Sequence, residues 1–185
     1  MKKESEIIKK GGVGIIPTDT LYGIVASALN SKAVERVYTV KGRRTDKSCI
    51  VLISSLKTLD SFGIFLSNNV RAFLLKVWPG KVTVILSCVR DAFSYLHRGT
   101  RTIAFRLPKD ERLISFLKET GPLIAPSANP EGKNPATTIE EAKKYFGNSI
   151  DFYMDGGKKS SLSSTIVKVG ENGQYTVVRQ GDEQI

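Results

Sequence analysis

Residues 49–53 read Cys49-Ile50-Val51-Leu52-Ile53, an unbroken apolar run. Such a run is the pattern of a strand covered on both faces, as in an α/β sheet. Upstream, Ser31 to Val40 places Ala33, Val34, Val37 and Tyr38 at helical spacing. Downstream, Asn68 to Trp78 repeats Val70, Phe73, Leu74 and Val77 as a second helical stripe, ended by Pro79-Gly80. A buried strand set between helices predicts an α/β fold.

Working outward, the alternation continues. Val13-Gly14-Ile15-Ile16 reads as a short buried strand stopped by Pro17. Val82 to Leu86, Thr102 to Arg106 and Leu123 to Ala125 read as strands, and Asp110 to Thr120 and Thr138 to Phe146 as helices. Ser164 to Val169 and Gln174 to Arg179 flank Asn172-Gly173, a hairpin turn signal. A hairpin makes at least one pair antiparallel, so the sheet is expected to be mixed. No internal repeat or low-complexity linker interrupts the pattern, and residues 1–185 are expected to form a single domain.

Composition narrows the function classes. The chain has 185 residues, 41% hydrophobic and 25% charged, which excludes wholesale disorder and fibrous classes. No stretch approaches the ~20 apolar residues of a membrane helix, and the basic start, MKKESEIIKK, carries no signal-peptide pattern. Cys49 and Cys88 are too few and too far apart for a disulfide framework or zinc site, so buried free thiols and a cytoplasmic setting are expected. The net charge of +10 points to anionic partners without choosing among nucleotide, phosphate and RNA.

Polar residues cluster at strand ends. Pro17-Thr18-Asp19-Thr20 follows the first strand, and by itself reads as a turn or helix cap. Lys41-Gly42-Arg43-Arg44-Thr45-Asp46-Lys47 carries a net +3 just before a buried strand. It is either a solvated loop or a glycine-assisted polyphosphate cradle. Arg106 ends the Thr102 strand, as a snorkelling cation or an anion clamp on a rigid element. Ala125-Pro126-Ser127-Ala128-Asn129 follows another strand, as an ordinary turn or a nucleotide contact. Ser163-Ser164-Thr165 and Arg179 complete the set. A P-loop, a GxGxxG fingerprint and a GxSxG elbow are all absent, and the single histidine, His97, has no triad or metal partners.

In this order and spacing the segments PTDTLYG, KGR, WPGKVTVIL, IAFRLP, PLIAPSAN, MDGG, SST and VVRQG resemble the YrdC family of threonylcarbamoyl-AMP synthases across nearly the whole chain. The resemblance implies an open, twisted α/β sheet with flanking helices and a basic concave face. It implies formation of threonylcarbamoyl-adenylate from L-threonine, bicarbonate and ATP with release of pyrophosphate. A separate transferase would then modify tRNA to threonylcarbamoyladenosine. By position, Thr18, Arg106, Ala125 and Thr165 would hold threonine. Lys41 and Arg43 would be catalytic and meet the triphosphate, and Thr102, Ser127, Asn129 and Arg179 would hold the nucleotide. Magnesium is expected to accompany ATP, with no acidic cluster to cage it.

The chain departs from the family pattern at Val25, Ser48, Leu162-Ser163 and Gln180, none of them an implied ligand. Its stop shortly after Arg179 resembles the short, single-domain branch. Two other readings stay open. One is a double-stranded RNA or tRNA-binding module. The other is a carbamoyl-adenylate former using carbamoyl phosphate. On this basis Lys41→Ala is expected to abolish turnover and leave the fold intact. Any RNA binding is expected to be weak, sequence-tolerant and steeply salt-dependent, because charge rather than base-stacking aromatics would drive it. A filter-binding series across salt concentrations tests this, and salt-resistant, sequence-specific binding contradicts it.

Overall fold

The computed structural model describes residues 1–185. The chain folds into α1 (Lys2–Lys9), β1 (Gly14–Pro17), β2 (Tyr22–Ser27), α2 (Ser31–Lys41), β3 (Ile50–Leu52), α3 (Asn68–Val77), β4 (Val82–Ser87), α4 (Ser94–His97), β5 (Thr102–Arg106), α5 (Glu111–Thr120), β6 (Leu123–Ile124), α6 (Ile139–Phe146), β7 (Phe152–Tyr153), β8 (Thr165–Val169) and β9 (Tyr175–Arg179). One nine-stranded sheet runs β7-β1-β2-β6-β3-β5-β4-β8-β9. It is mixed. β1–β7, β3–β5 and β4–β8 are parallel and the other pairs antiparallel.

Local sequence explains the helix ends. Asn30, Ser67, Asp110 and Thr138 each accept a hydrogen bond from a backbone N–H in the first turn of α2, α3, α5 and α6. Gly42 ends α2 with φ 60°, a left-handed conformation that glycine takes without strain.

Two strands carry little local signal in the sequence. β2 holds Gly23 near its start and Ser27 at its end, which shortens its unbroken apolar run to Ile24-Val25-Ala26. β7 is only two residues long. The helix α1 was also hidden, since its apolar face rests on Ile8 and little else. Pro17 belongs to β1 instead of ending it, which costs no ladder bond at the strand's last position.

The strands' period-two alternation splits the core. On one face Val51, Val84, Phe105 and Val167 meet the stripes of α2, α3 and α6 in the main core. On the other, α1 and α5 cover only Ile16, Val25, Leu52 and Leu123. The remainder of that second face, carried by β5, β4, β8 and β9, has no helix over it. Both cysteines are buried and free, and no helix is long and apolar enough to cross a membrane.

Candidate functional site

The uncovered sheet face forms the floor of a cleft of about 760 Å³. Ile85 of β4, Ala104 and Arg106 of β5, and Ile166 of β8 point up from that floor, and Leu52 of β3 borders it. Thr18 and Thr20 close one side, and Pro126 and Ser127 another. The connection from β7 to β8 must pass from one sheet edge almost to the other, and its Lys159–Ser164 part forms a further wall. Four cations line the cleft, Arg43, Arg106, Lys159 and Arg179, and no carboxylate does. That charge balance suits a polyanion.

The implied residues sort into two groups. Thr18, Arg43, Arg106, Ala125, Ser127 and Arg179 line the cleft. Arg43 is held by its own loop, donating through Nε to Lys47 O (3.1 Å) and through a terminal nitrogen to Ser48 O (2.9 Å). Arg179 donates to Ser164 O (2.8 Å), and burial pulls its guanidinium pKa below the ordinary value. The Thr18 hydroxyl donates to Leu21 O (2.6 Å) and accepts from the Thr20 and Leu21 amides, closing a tight turn. The turn reading made from sequence and the cleft position therefore hold together for Thr18.

Lys41, Asn129, Thr165 and Thr102 are not among the residues that line the cleft. Lys41 is 2% exposed. Its Nζ donates to Ser127 O (2.8 Å), Asn129 O (2.6 Å) and Asn129 Oδ1 (3.1 Å), so all three ammonium hydrogens have internal acceptors. Burial, and then the nearby Arg43 charge, push its pKa down to about 8. Lys41 thus holds the 127–129 loop in place. Asn129 is equally committed. Its Oδ1 accepts from Lys41 and from Ser127 Oγ (2.6 Å), while Nδ2 donates to Pro130 O and Lys133 O.

Thr165 is turned away by register. It shares the core face of β8 with Val167, so Ser164 and Ile166 face the cleft in its place. Thr102 lies on the cleft face of β5, two residues beyond Ala104, and its hydroxyl is bonded to Thr100 Oγ1 (3.1 Å) outside the cleft.

Arg106 is the buried cation of the floor, 4% exposed. It donates to Asp19 Oδ1 (2.8 Å) and to Thr20 Oγ1 (3.2 Å). Burial draws its pKa down, Asp19 opposes that, and Arg179 adds to it. Asp19 was read from sequence only as part of a turn, yet it is the counter-charge of this arginine. Tyr22 was also passed over. Its hydroxyl donates to Gly157 O (2.7 Å) and accepts from Gly156 N (2.9 Å), tying the DGG turn to the cleft wall. Gly156 is needed there, since a Cβ would lie 2.4 Å from Pro17. The signal for both lay in the PTDTLYG and MDGG segments, whose pairing in space no local pattern reveals.

Comparison with known proteins follows the same lines. The Sua5_yciO_yrdC family model, described as telomere recombination, matches residues 6–181. A threonylcarbamoyl-AMP synthase of Nitrosococcus oceani is 30% identical over 173 residues, covering 92% of each chain. One of Bacillus subtilis is 31% identical over 169 residues, covering 90% of this chain and 49% of the relative. The chain therefore spans about half the length of that relative. The structure of P. abyssi Sua5 complexed with L-threonine superposes with a TM-score of 0.89 at 27% identity, over 97% of this chain and 53% of that one. E. coli YciO, at 24% identity and a TM-score of 0.84, shares the fold.

Proposed function

The chain belongs to the Sua5–YciO–YrdC family, and on that footing we propose that it forms threonylcarbamoyl-adenylate from L-threonine, bicarbonate and ATP, releasing pyrophosphate. The observation that carries the reading is the cleft itself, which is lined by four cations and no carboxylate.

The chemistry asks the protein chiefly to position and to neutralise. The threonine amine adds to bicarbonate, and water is lost to give a carbamate. A carbamate oxygen then attacks the α-phosphorus while the bond to pyrophosphate breaks. Charge accumulates on the leaving phosphates, where Arg43, Arg179 and Lys159 can stabilise it. Arg106, held in direction by Asp19 and Thr20, is placed to meet the threonine carboxylate, with Thr18 and Ala125 beside it. Ser127 lines the cleft on a loop that Lys41 fixes, with its hydroxyl held by Asn129 Oδ1. Magnesium would arrive as part of the nucleotide substrate, because no carboxylate lines the cleft to hold it. The adenylate would pass to a transferase that modifies tRNA, and the two buried free thiols support a cytoplasmic setting.

Pyrophosphate release is expected only when ATP, threonine and bicarbonate are all present, which a coupled phosphate assay measures. Release that does not need threonine, or that occurs with carbamoyl phosphate alone, overturns the proposal.

A further inference from the structure

Residues 180–183 lie just beyond β9 and line no part of the cleft, yet they are bonded to Ser163 and Thr165, the residues on either side of Ser164 in the cleft wall. The Asp182 amide donates to Ser163 O (2.9 Å). The Gly181 amide donates to Thr165 Oγ1 (3.0 Å), and that hydroxyl donates in turn to the Glu183 carbonyl. Between them, Ser164 offers its carbonyl to Arg179 and its hydroxyl to Thr83 (2.8 Å). The segment is anchored at its other end as well. Glu183 Oε2 accepts from the Lys81 amide (2.6 Å), and Asp182 pairs with the Lys81 ammonium at 2.5 Å. Lys81 O in turn accepts from the Thr165 amide (3.0 Å), so the loop before β4, the wall and the segment close a ring of bonds.

The approach is close enough to dictate sequence. A Cβ on Gly181 would sit 2.1 Å from Ser163 O and 2.4 Å from the Ser164 carbonyl carbon. Both contacts are to backbone, which has nowhere to move. A glycine here is required by contact alone.

We propose that Gly181–Glu183 is a latch that sets the position of the Ser163–Thr165 wall and, through Ser164 O, the direction of Arg179, with Glu183 as a positioning residue for the reaction proposed above. The ring explains why Thr165 is committed on the far side of the sheet. Its hydroxyl is the point to which the latch is fastened.

The inference rests on that proposed reaction for its consequence but not for its geometry, so two readouts are needed. Hydrogen exchange followed by mass spectrometry reports whether residues 163–168 lose protection. Steady-state kinetics report KM and kcat for ATP and threonine. Glu183→Ala orphans the Lys81 amide, and Gly181→Ala pushes the segment off the wall. Both are expected to release protection across 163–168 and to raise KM by about tenfold, since small displacements at a site cost up to about a hundredfold. Glu183→Gln keeps an acceptor for Lys81 and is expected to stay within about twofold of wild type in KM. Should Gly181→Ala fail to fold, Glu183→Ala decides alone. Protection unchanged in Glu183→Ala overturns the latch. Lost protection with KM unchanged overturns its positioning role. A wild-type chain that releases no pyrophosphate overturns the reaction, while the exchange result still decides whether the latch holds the wall.

Discussion

Lys41→Ala is expected to lower the melting temperature by about 10 °C as well as abolish pyrophosphate release. The reason is the cradle around Nζ. Removing the ammonium strands Ser127 O, Asn129 O and Asn129 Oδ1 in a site that is 2% exposed, and leaves a void the length of the side chain. Unpaired buried groups and a cavity together cost about 3–5 kcal/mol, and for a chain of this size each kcal/mol moves the midpoint by about 2–4 °C. This reverses the expectation, drawn from the sequence alone, that the fold would be untouched. Lys41→Met separates the two contributions, because it refills the space but offers no donor. It is expected to recover part of the stability and none of the activity. An unchanged melting curve for Lys41→Ala would sink the structural role.

The same lysine gives a pH signature. Its pKa is about 8 in the folded chain, against 10.5 for an ordinary lysine. Across that window the unfolded chain holds a proton that the folded chain has released, so this group makes stability rise with pH from about 8 to 10.5. Below pH 8 both states are charged and its contribution to the slope is nil. Function runs the other way. Deprotonation removes one of three donors from the 127–129 loop, so nucleotide binding is expected to weaken as pH passes 8. Denaturant unfolding of wild type and Lys41→Met between pH 7 and 10 isolates the first effect. Parallel slopes for the two proteins would contradict the assignment.

The sheet was legible because its strands announce themselves locally. Cys49 to Ile53 is apolar throughout, Thr102 to Arg106 alternates toward a terminal arginine, and Asn172-Gly173 marks the hairpin between β8 and β9. The site was legible as a set of segments but not as a set of directions. Whether Thr165 or Ser164 faces the cleft depends on register against β4, a contact more than 80 residues away in sequence. The net +3 around Lys41 is visible in sequence, but the acceptors of its ammonium, the backbone carbonyls of residues 127 and 129, are not, because they lie more than 80 residues away. Asp19 was hidden for the same reason, since its partner Arg106 lies on another strand.

Arg106→Lys is expected to weaken threonine binding by about ten- to a hundredfold and to change ATP affinity far less. Losing one charged hydrogen bond costs about 1.5–3 kcal/mol, which gives that range. In the fold the guanidinium uses one hydrogen on each terminal nitrogen for Thr20 and Asp19, and a second hydrogen on each remains for a ligand carboxylate. A lysine ammonium can satisfy Asp19 or the ligand, but it has no planar fork with which to hold both in fixed directions. Arg106→Ala is a poorer probe. It leaves Asp19 charged and nearly buried, at a cost of about 3–5 kcal/mol, so lost binding would be confounded with unfolding. Asp19→Asn supplies the complementary test. It leaves every donor of Arg106 in place but removes the charge that aims it, so threonine affinity is expected to fall while ATP affinity holds. Calorimetric titration of both variants with each ligand distinguishes the outcomes. If threonine binding survives in both, the arginine serves only to neutralise Asp19. If ATP binding is lost and threonine binding kept, the cation belongs to the nucleotide, and the division of the cleft between Arg106 on one side and Arg43 and Arg179 on the other is wrong.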